Sequence, residues 1–129
     1  HTLRSAINND EVWFQILKEF MIENAKGFAN TGDFFAKVAE KTSKDYWYFA
    51  EQYFYTPNQP KLEYYQTDNS FYYRWSNVNK NFIMPLDLLV NGEVIRVSPS
   101  SEYKSLKISK HSQVEIMDWK FYVEPVQMN

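Results

Sequence analysis

The hydrophobic rhythm of the chain changes near Thr56. Before it, apolar residues recur at helical spacing; after it they alternate, and all five prolines lie beyond it. Residues 2–7 (TLRSAI) read as the tail of a helix without its beginning, and Asn8, Asn9 and Asp10 offer a break and an N-cap. From Asp10, the residues Val12, Trp13, Ile16, Leu17, Phe20 and Met21 fall on one helical face. Glu11 sits in the first turn, where the helix dipole favours an acid. Gly27 stands where a left-handed C-cap belongs. Thr31 is the expected N-cap of a second helix with the short stripe Phe34, Phe35, Val38 and Ala39. Thr42 and Ser43 are the expected cap of a third, carrying Tyr46, Trp47, Phe49, Ala50, Tyr53 and Phe54. A helix this aromatic around its circumference is normally enclosed on several sides, and enclosing it is expected to take more than this chain.

Beyond Pro57 and Pro60 the period drops toward two. Residues 62–65, 71–75, 86–90, 94–97, 106–108, 114–117 and 121–123 are the expected strands. Residues 67–70, 99–101 and 110–112 read as turns, and Asn91-Gly92 is the strongest hairpin signal because both residues accept positive φ. About seven short strands at this spacing suggest an antiparallel sandwich. The fold class is therefore α+β: about three helices, then a small β-sandwich. The expected division is 1–56 and 57–129.

Composition sharpens the chemistry by what it withholds. The chain has no cysteine, and its histidines are His1 and His111. Metal sites built from nitrogen and sulfur donors need clusters of such residues, and nucleophilic catalysis most often needs a histidine base beside the nucleophile. His111, between Lys110 and Ser112 in an expected turn, reads as an exposed loop histidine. The three glycines, Gly27, Gly32 and Gly92, cannot build a phosphate cradle, and neither G-x-S-x-G nor H-E-x-x-H occurs. No catalytic residue, cofactor-binding residue or metal ligand is assigned.

A net charge of −2, with fourteen basic residues scattered among sixteen acids, argues against a nucleic-acid partner. No apolar run is long enough for a membrane span, and the first residues lack the basic-then-apolar pattern of a signal peptide. Glu19 and Glu23 share a helical face near Lys18 and Lys26; a solvated face is the expected reading rather than a cation site. Asp33, Glu40 and Asp45 carry no motif.

Aromatic residues make up 19% of the chain, each able to bury roughly 150–250 Å². Tyr64, Tyr65, Tyr72, Tyr73 and Trp75 fall on adjacent expected strands. Outward rings, with Tyr73 and Trp75 as the candidates, would form a platform for a glycan or peptide. Cross-strand pairing within the sheet is the favoured alternative.

The first half also carries a resemblance. His1-Thr2-Leu3-Arg4, followed by Asp10-Glu11, Trp13-Phe14 and Ile16-Leu17, resembles the helices after the catalytic tyrosine in zinc aminopeptidases of the aminopeptidase N family. Thr31-Gly32-Asp33-Phe34-Phe35 is similar to that family's T-x-D-F helix start. The most specific stretch runs from Thr42-Ser43-Lys44-Asp45-Tyr46 through Phe49-Ala50-Glu51-Gln52-Tyr53-Phe54 to Pro57 and Pro60-Lys61-Leu62. It resembles G-K-D-L…F-F-D-Q-W…G-x-P-x-L, with Ser43 for Gly, Ala50-Glu51 for F-D and Tyr53 for Trp. Beyond Leu62 the likeness is looser: Tyr73-Arg74-Trp75 and Phe82-Ile83-Met84-Pro85-Leu86 look like the small sandwich that follows the catalytic domain.

The resemblance implies the last helices of a catalytic domain plus that sandwich, without the chemistry. The family's zinc ligands, its H-E-x-x-H base, its amine-binding Glu and its catalytic Tyr match no position here. Zinc and a peptide substrate would belong to a parent protein, periplasmic or extracellular locations being compatible with it. This chain would scaffold the rest of the parent's catalytic domain and expose an apolar helical surface, open to dimerisation. The alternative is a free-standing β-sandwich that binds a glycan or peptide.

Overall fold

The computed structural model describes residues 1–25, 27 and 30–128. Four helices come first: α1 (Thr2–Ile7), α2 (Asp10–Glu23), α3 (Thr31–Thr42) and α4 (Trp47–Tyr53). Seven strands follow: β1 (Lys61–Gln66), β2 (Ser70–Ser76), β3 (Leu86–Val90), β4 (Glu93–Val97), β5 (Lys104–Lys107), β6 (Val114–Ile116) and β7 (Glu124–Gln127). They form two sheets, ordered β5-β2-β1-β7 and β4-β3-β6. The α+β class with helices ahead of a sandwich is the one the hydrophobic pattern indicates.

Side-chain chemistry sets the helix ends, and several lie away from their expected positions. Asn9 caps α2 by accepting from the Val12 amide at 3.1 Å, and α2 ends at Asn24, ahead of Gly27. Asn30, not Thr31, caps α3: its side chain accepts from the Asp33 amide while Asp33 accepts from the Asn30 amide, a reciprocal box that satisfies two free donors. Ser43 is the left-handed C-cap of α3, with φ 59°, rather than the start of the next helix. The α4 entry is instead held by Asp45, whose carboxylate accepts from the Trp47 amide at 2.8 Å.

In the sheets, Asn91 and Gly92 form the tight turn of the β3–β4 hairpin with φ of 49° and 85°. Ile108 lies just past β5, which starts two residues earlier than the pattern indicates. The expected strand at 121–123 is displaced to β7, which runs parallel to β1. Phe121 and Val123 are buried, so their alternation reports core contact without ladder pairing. Pro125 is tolerated because β7 is an edge strand, where a missing N–H breaks no internal ladder.

One apolar core spans both halves. It includes Leu3, Ile16, Phe35, Val38 and Phe49 from the helices, and Leu62, Phe71, Trp75, Leu86, Leu88 and Phe121 from the sandwich region. The boundary near Thr56 marks a change of secondary structure, while the core crosses it. Tyr48 and Tyr53 of α4 both meet Phe82, with centroids 5.7 and 6.2 Å apart, and Phe82 meets Trp75 at 5.3 Å. On the other side, Phe49 meets Phe35 of α3 at 6.3 Å.

Gln52 fastens this joint. It is fully buried; its Nε2 donates to the carbonyl of Asn58 at 2.8 Å and that of Asn77 at 3.4 Å, and its Oε1 accepts from the Asn79 amide at 2.6 Å. One side chain thus satisfies backbone groups in two loops of the sandwich region. Gln52→Ala removes these bonds and the packing of a fully buried side chain, and is expected to lower the unfolding free energy by about 2 kcal/mol. Urea unfolding followed by far-ultraviolet circular dichroism and by tryptophan fluorescence should give coincident transitions that shift together. Separate transitions for the two probes would show that the halves fold independently.

Candidate functional site

Tyr73 and Trp75, the expected platform residues, point into the core, at 6% and 1% exposure. The β2 alternation places Phe71, Tyr73 and Trp75 inward together, and the Trp75 indole donates to the Met84 carbonyl at 3.1 Å. They cannot serve as a stacking surface. The opposite face of β1 and β2 carries Glu63, Tyr65, Tyr72 and Arg74. Tyr65 and Tyr72 are cross-strand partners, stacked at 4.6 Å with planes 14° apart, so each covers a face of the other. Tyr103 abuts Tyr65 edge-on at 5.2 Å, and Arg74 lies over Tyr103 while pairing with Glu63 at 2.7 Å. Cross-strand pairing accounts for this cluster.

The remaining sequence candidates also find structural places. His111 is exposed in its turn with φ 67°, and the His1 ring contacts the Trp119 carbonyl at 3.2 Å. Glu19 and Glu23 are not simply solvated: Lys37 of α3 lies 2.8 Å from Glu23 and 2.7 Å from Glu40, while Lys41 lies 2.6 Å from Glu19. Hydrogen bonds that Lys37 donates to Glu23 and Glu40 raise its pKa against the opposing effect of burial. Lys26, expected beside this pair, is outside the described residues. Among the described residues, no three His, Cys, Asp or Glu side chains gather as a metal-binding group. No described helix is long and apolar enough to cross a membrane.

Two features escaped sequence reasoning. The first is a charge cluster around Asp87, which is almost fully buried. Arg96, its register partner across the hairpin, donates Nε to Oδ1 at 2.8 Å and Nη2 to Oδ2 at 3.2 Å. Lys120 donates to Oδ2 at 3.0 Å. Arg96 also reaches the carbonyls of Ser5 and Ala6, at 2.8 and 2.9 Å, satisfying free acceptors at the end of α1. This fork ties the first helix to the sandwich. A signal was present: a two-residue Asn91-Gly92 turn, counted back along both strands, sets Asp87 opposite Arg96.

The second is a cleft of about 670 Å³ beside that fork. The end of α1, the α3–α4 connection with Tyr46 and Tyr48, and the sandwich residues Ile83, Pro85, Arg96 and Ser98 enclose it. Tyr46 and Tyr48 are 6% and 8% exposed, their rings 5.9 Å apart. Burial raises the pKa of both phenols, with the charge of Arg96 opposing that shift. The sequence marked Tyr46 only as part of a helical stripe; the pocket exists because three distant segments meet there.

No family model and no curated protein matches this sequence.

Burial pushes the Asp87 carboxyl up, but hydrogen bonds and charge from Arg96 and Lys120 outweigh it and hold its pKa below the ordinary value. A depressed folded pKa contributes stability above the unfolded value, about 3.9, that is lost as pH falls through the folded value. Asp87→Asn is expected to lower stability at pH 7 by about 3 kcal/mol, since two cations lose their shared partner, and to flatten the acid limb of the stability curve. Denaturant melts across pH test this; equal stability of the two proteins at neutral pH would refute it.

Proposed function

We propose that this chain is the non-catalytic C-terminal portion of a zinc-dependent aminopeptidase, scaffolding the domain that removes N-terminal amino acids from peptides. The carrying observation is where the resembling stretch falls. Residues 42–62 hold the α3 C-cap, all of α4 and the entry to β1, which together make the joint of the fold. Gln52, standing at the Q of F-F-D-Q-W, is the buried fastener between helix and sandwich loops. Phe49 and Tyr53, at aromatic positions of the same motif, pack with ring centroids 4.5 Å apart and planes tilted by 35°, and Tyr53 reaches the Phe82 cluster. A motif occupied in this way has an architectural role.

The helical face supports the same reading. Phe14 and Met21 lie one heptad apart on α2 with Ile22 beside them, and all three are exposed. Phe54 and Tyr55 add exposed apolar surface after α4. In the proposed parent this surface packs against the remainder of the catalytic domain, which holds the zinc and the peptide. Freed from it, the surface favours self-association.

The purified chain is expected to release no amino acid from chromogenic aminoacyl amides, with or without added zinc. The encoded protein ahead of His1 is expected to carry H-E-x-x-H followed by a glutamate ligand. Stoichiometric zinc with turnover in this chain, or an upstream sequence without that motif, would overturn the reading. Gel filtration of a clean monomer that binds no hydrophobic dye would remove the role given to the helical face.

A further inference from the structure

We propose that the cleft between α1, the α3–α4 connection and β4 binds the carboxylate of a ligand with a small apolar body, held by Tyr46, Tyr48 and Arg96.

Three observations converge on this. First, Tyr46 and Tyr48 are both more than nine-tenths buried, and among the described residues neither hydroxyl bonds to the protein, unlike that of Tyr53, which donates to the Tyr122 carbonyl. Buried polar groups are ordinarily satisfied, and Ser76 Oγ is the single enclosed side-chain polar atom among the described residues that lacks a partner. The two hydroxyls are therefore open to solvent, and both residues line the cleft. Second, a phenol is protonated at neutral pH without any shift, and burial raises both pKa values further, so each can donate. Third, the local charge is cationic. Arg96 and Lys120 share the single carboxylate of Asp87, and Lys44 adds an ammonium at the rim. Asp45, the acid on this wall, accepts from the Trp47 amide and keeps its negative charge, so with Asp87 it leaves the three cations one net positive charge.

Donors and positive charge select an oxyanion. Arg96 is rigidly aimed by its bonds to Asp87, Ser5 and Ala6, and one Nη1 hydrogen remains unassigned among them. Fixed donors of this kind bind carboxylate better than flexible ones, because less side-chain freedom is lost. Ile83, Pro85 and Ile7 supply apolar walls for the rest of the ligand. The cleft volume, about 670 Å³, falls inside the usual range for small-ligand sites, roughly 300–1,000 Å³. The site goes beyond the scaffolding role and does not depend on it.

Free small acids and polypeptide C-termini share this chemistry. The test is a titration of the isotope-labelled 129-residue chain, read by amide and arginine side-chain NMR shifts. The probes are butyrate, butyramide, a Gly-Gly-Leu peptide with a free C-terminus, and the same peptide amidated. Saturable shifts around Tyr46, Tyr48 and Arg96 are expected with one or both acids and with neither amide. Butyrate binding assigns a free acid; binding of the free-acid peptide alone assigns a polypeptide terminus.

Neither hydroxyl holds the protein together, so the double variant Tyr46→Phe with Tyr48→Phe should melt like the parent chain. It should bind the responding acid about tenfold or more weakly. Equal response to acids and amides, no saturation by about 10 mM, or unchanged affinity in the double variant would each overturn the proposal.

Discussion

The burial of α4 is the constraint on which the rest of this fold depends. A seven-residue helix cannot hold itself together in water, since nucleation is unfavourable and only a few hydrogen bonds follow it. It persists here because tertiary contacts enclose it. Tyr48, Phe49, Ala50 and Gln52 are all buried, with α3 on one side and the sandwich loops on the other. The contact series Phe35–Phe49–Tyr53–Phe82–Trp75 passes without a break from the helical half to the sheet core. Each ring contributes large apolar area, and the edge-to-face pairs add about 0.5–1.5 kcal/mol apiece. Small domains bury too little of their surface to be robust alone, so a shared core is the physical solution for two small halves.

Charge then fixes orientation where apolar packing is indifferent. The Arg96 fork joins β4 to Asp87 of β3 and to the carbonyl end of α1, so the first helix and the second sheet cannot slide past one another without breaking the two hydrogen bonds from Arg96 to Ser5 and Ala6. The Lys37 cluster between α2 and α3 is weaker in kind. Its carboxylates from Glu23 and Glu40 are more than half exposed, and such pairs contribute little each in high dielectric. Gln52 of α4 and Arg96 of β4 do similar jobs: each satisfies backbone groups that the junction would otherwise leave unpaired.

These observations separate two roles for polar residues in one small fold. Gln52 has both ends of its amide engaged within the protein, and its neighbourhood is closed. Tyr46 and Tyr48 are nearly as buried, yet their hydroxyls bond to no described protein group and their residues line a cleft beside a fixed guanidinium. The first arrangement suits a scaffold and the second suits recognition. A scaffolding segment carrying a recognition cleft is physically consistent, because the junction that needs fastening is also where concave surface arises.

Much of the fold was legible in the chain because local rules operate over a few residues. Helical spacing located α2 and α3, alternation located most strands, and Asn91-Gly92 marked its hairpin because positive φ is demanded there. Even the Asp87–Arg96 pair follows from that turn by counting. The exact caps were harder: Thr31 and Asn30, or Ser43 and Asp45, are chemically comparable, and backbone geometry chose between them. Tertiary structure alone decided which aromatic rings face inward, since that depends on the register of strands far apart in sequence. It sent Tyr73 and Trp75 into the core, drew Phe121 and Val123 there without a ladder, and set β7 parallel to β1. It also made the cleft, whose walls come from residues as distant as Ala6 and Arg96. No local pattern encodes such a meeting; it exists only once the shared core has brought the segments together.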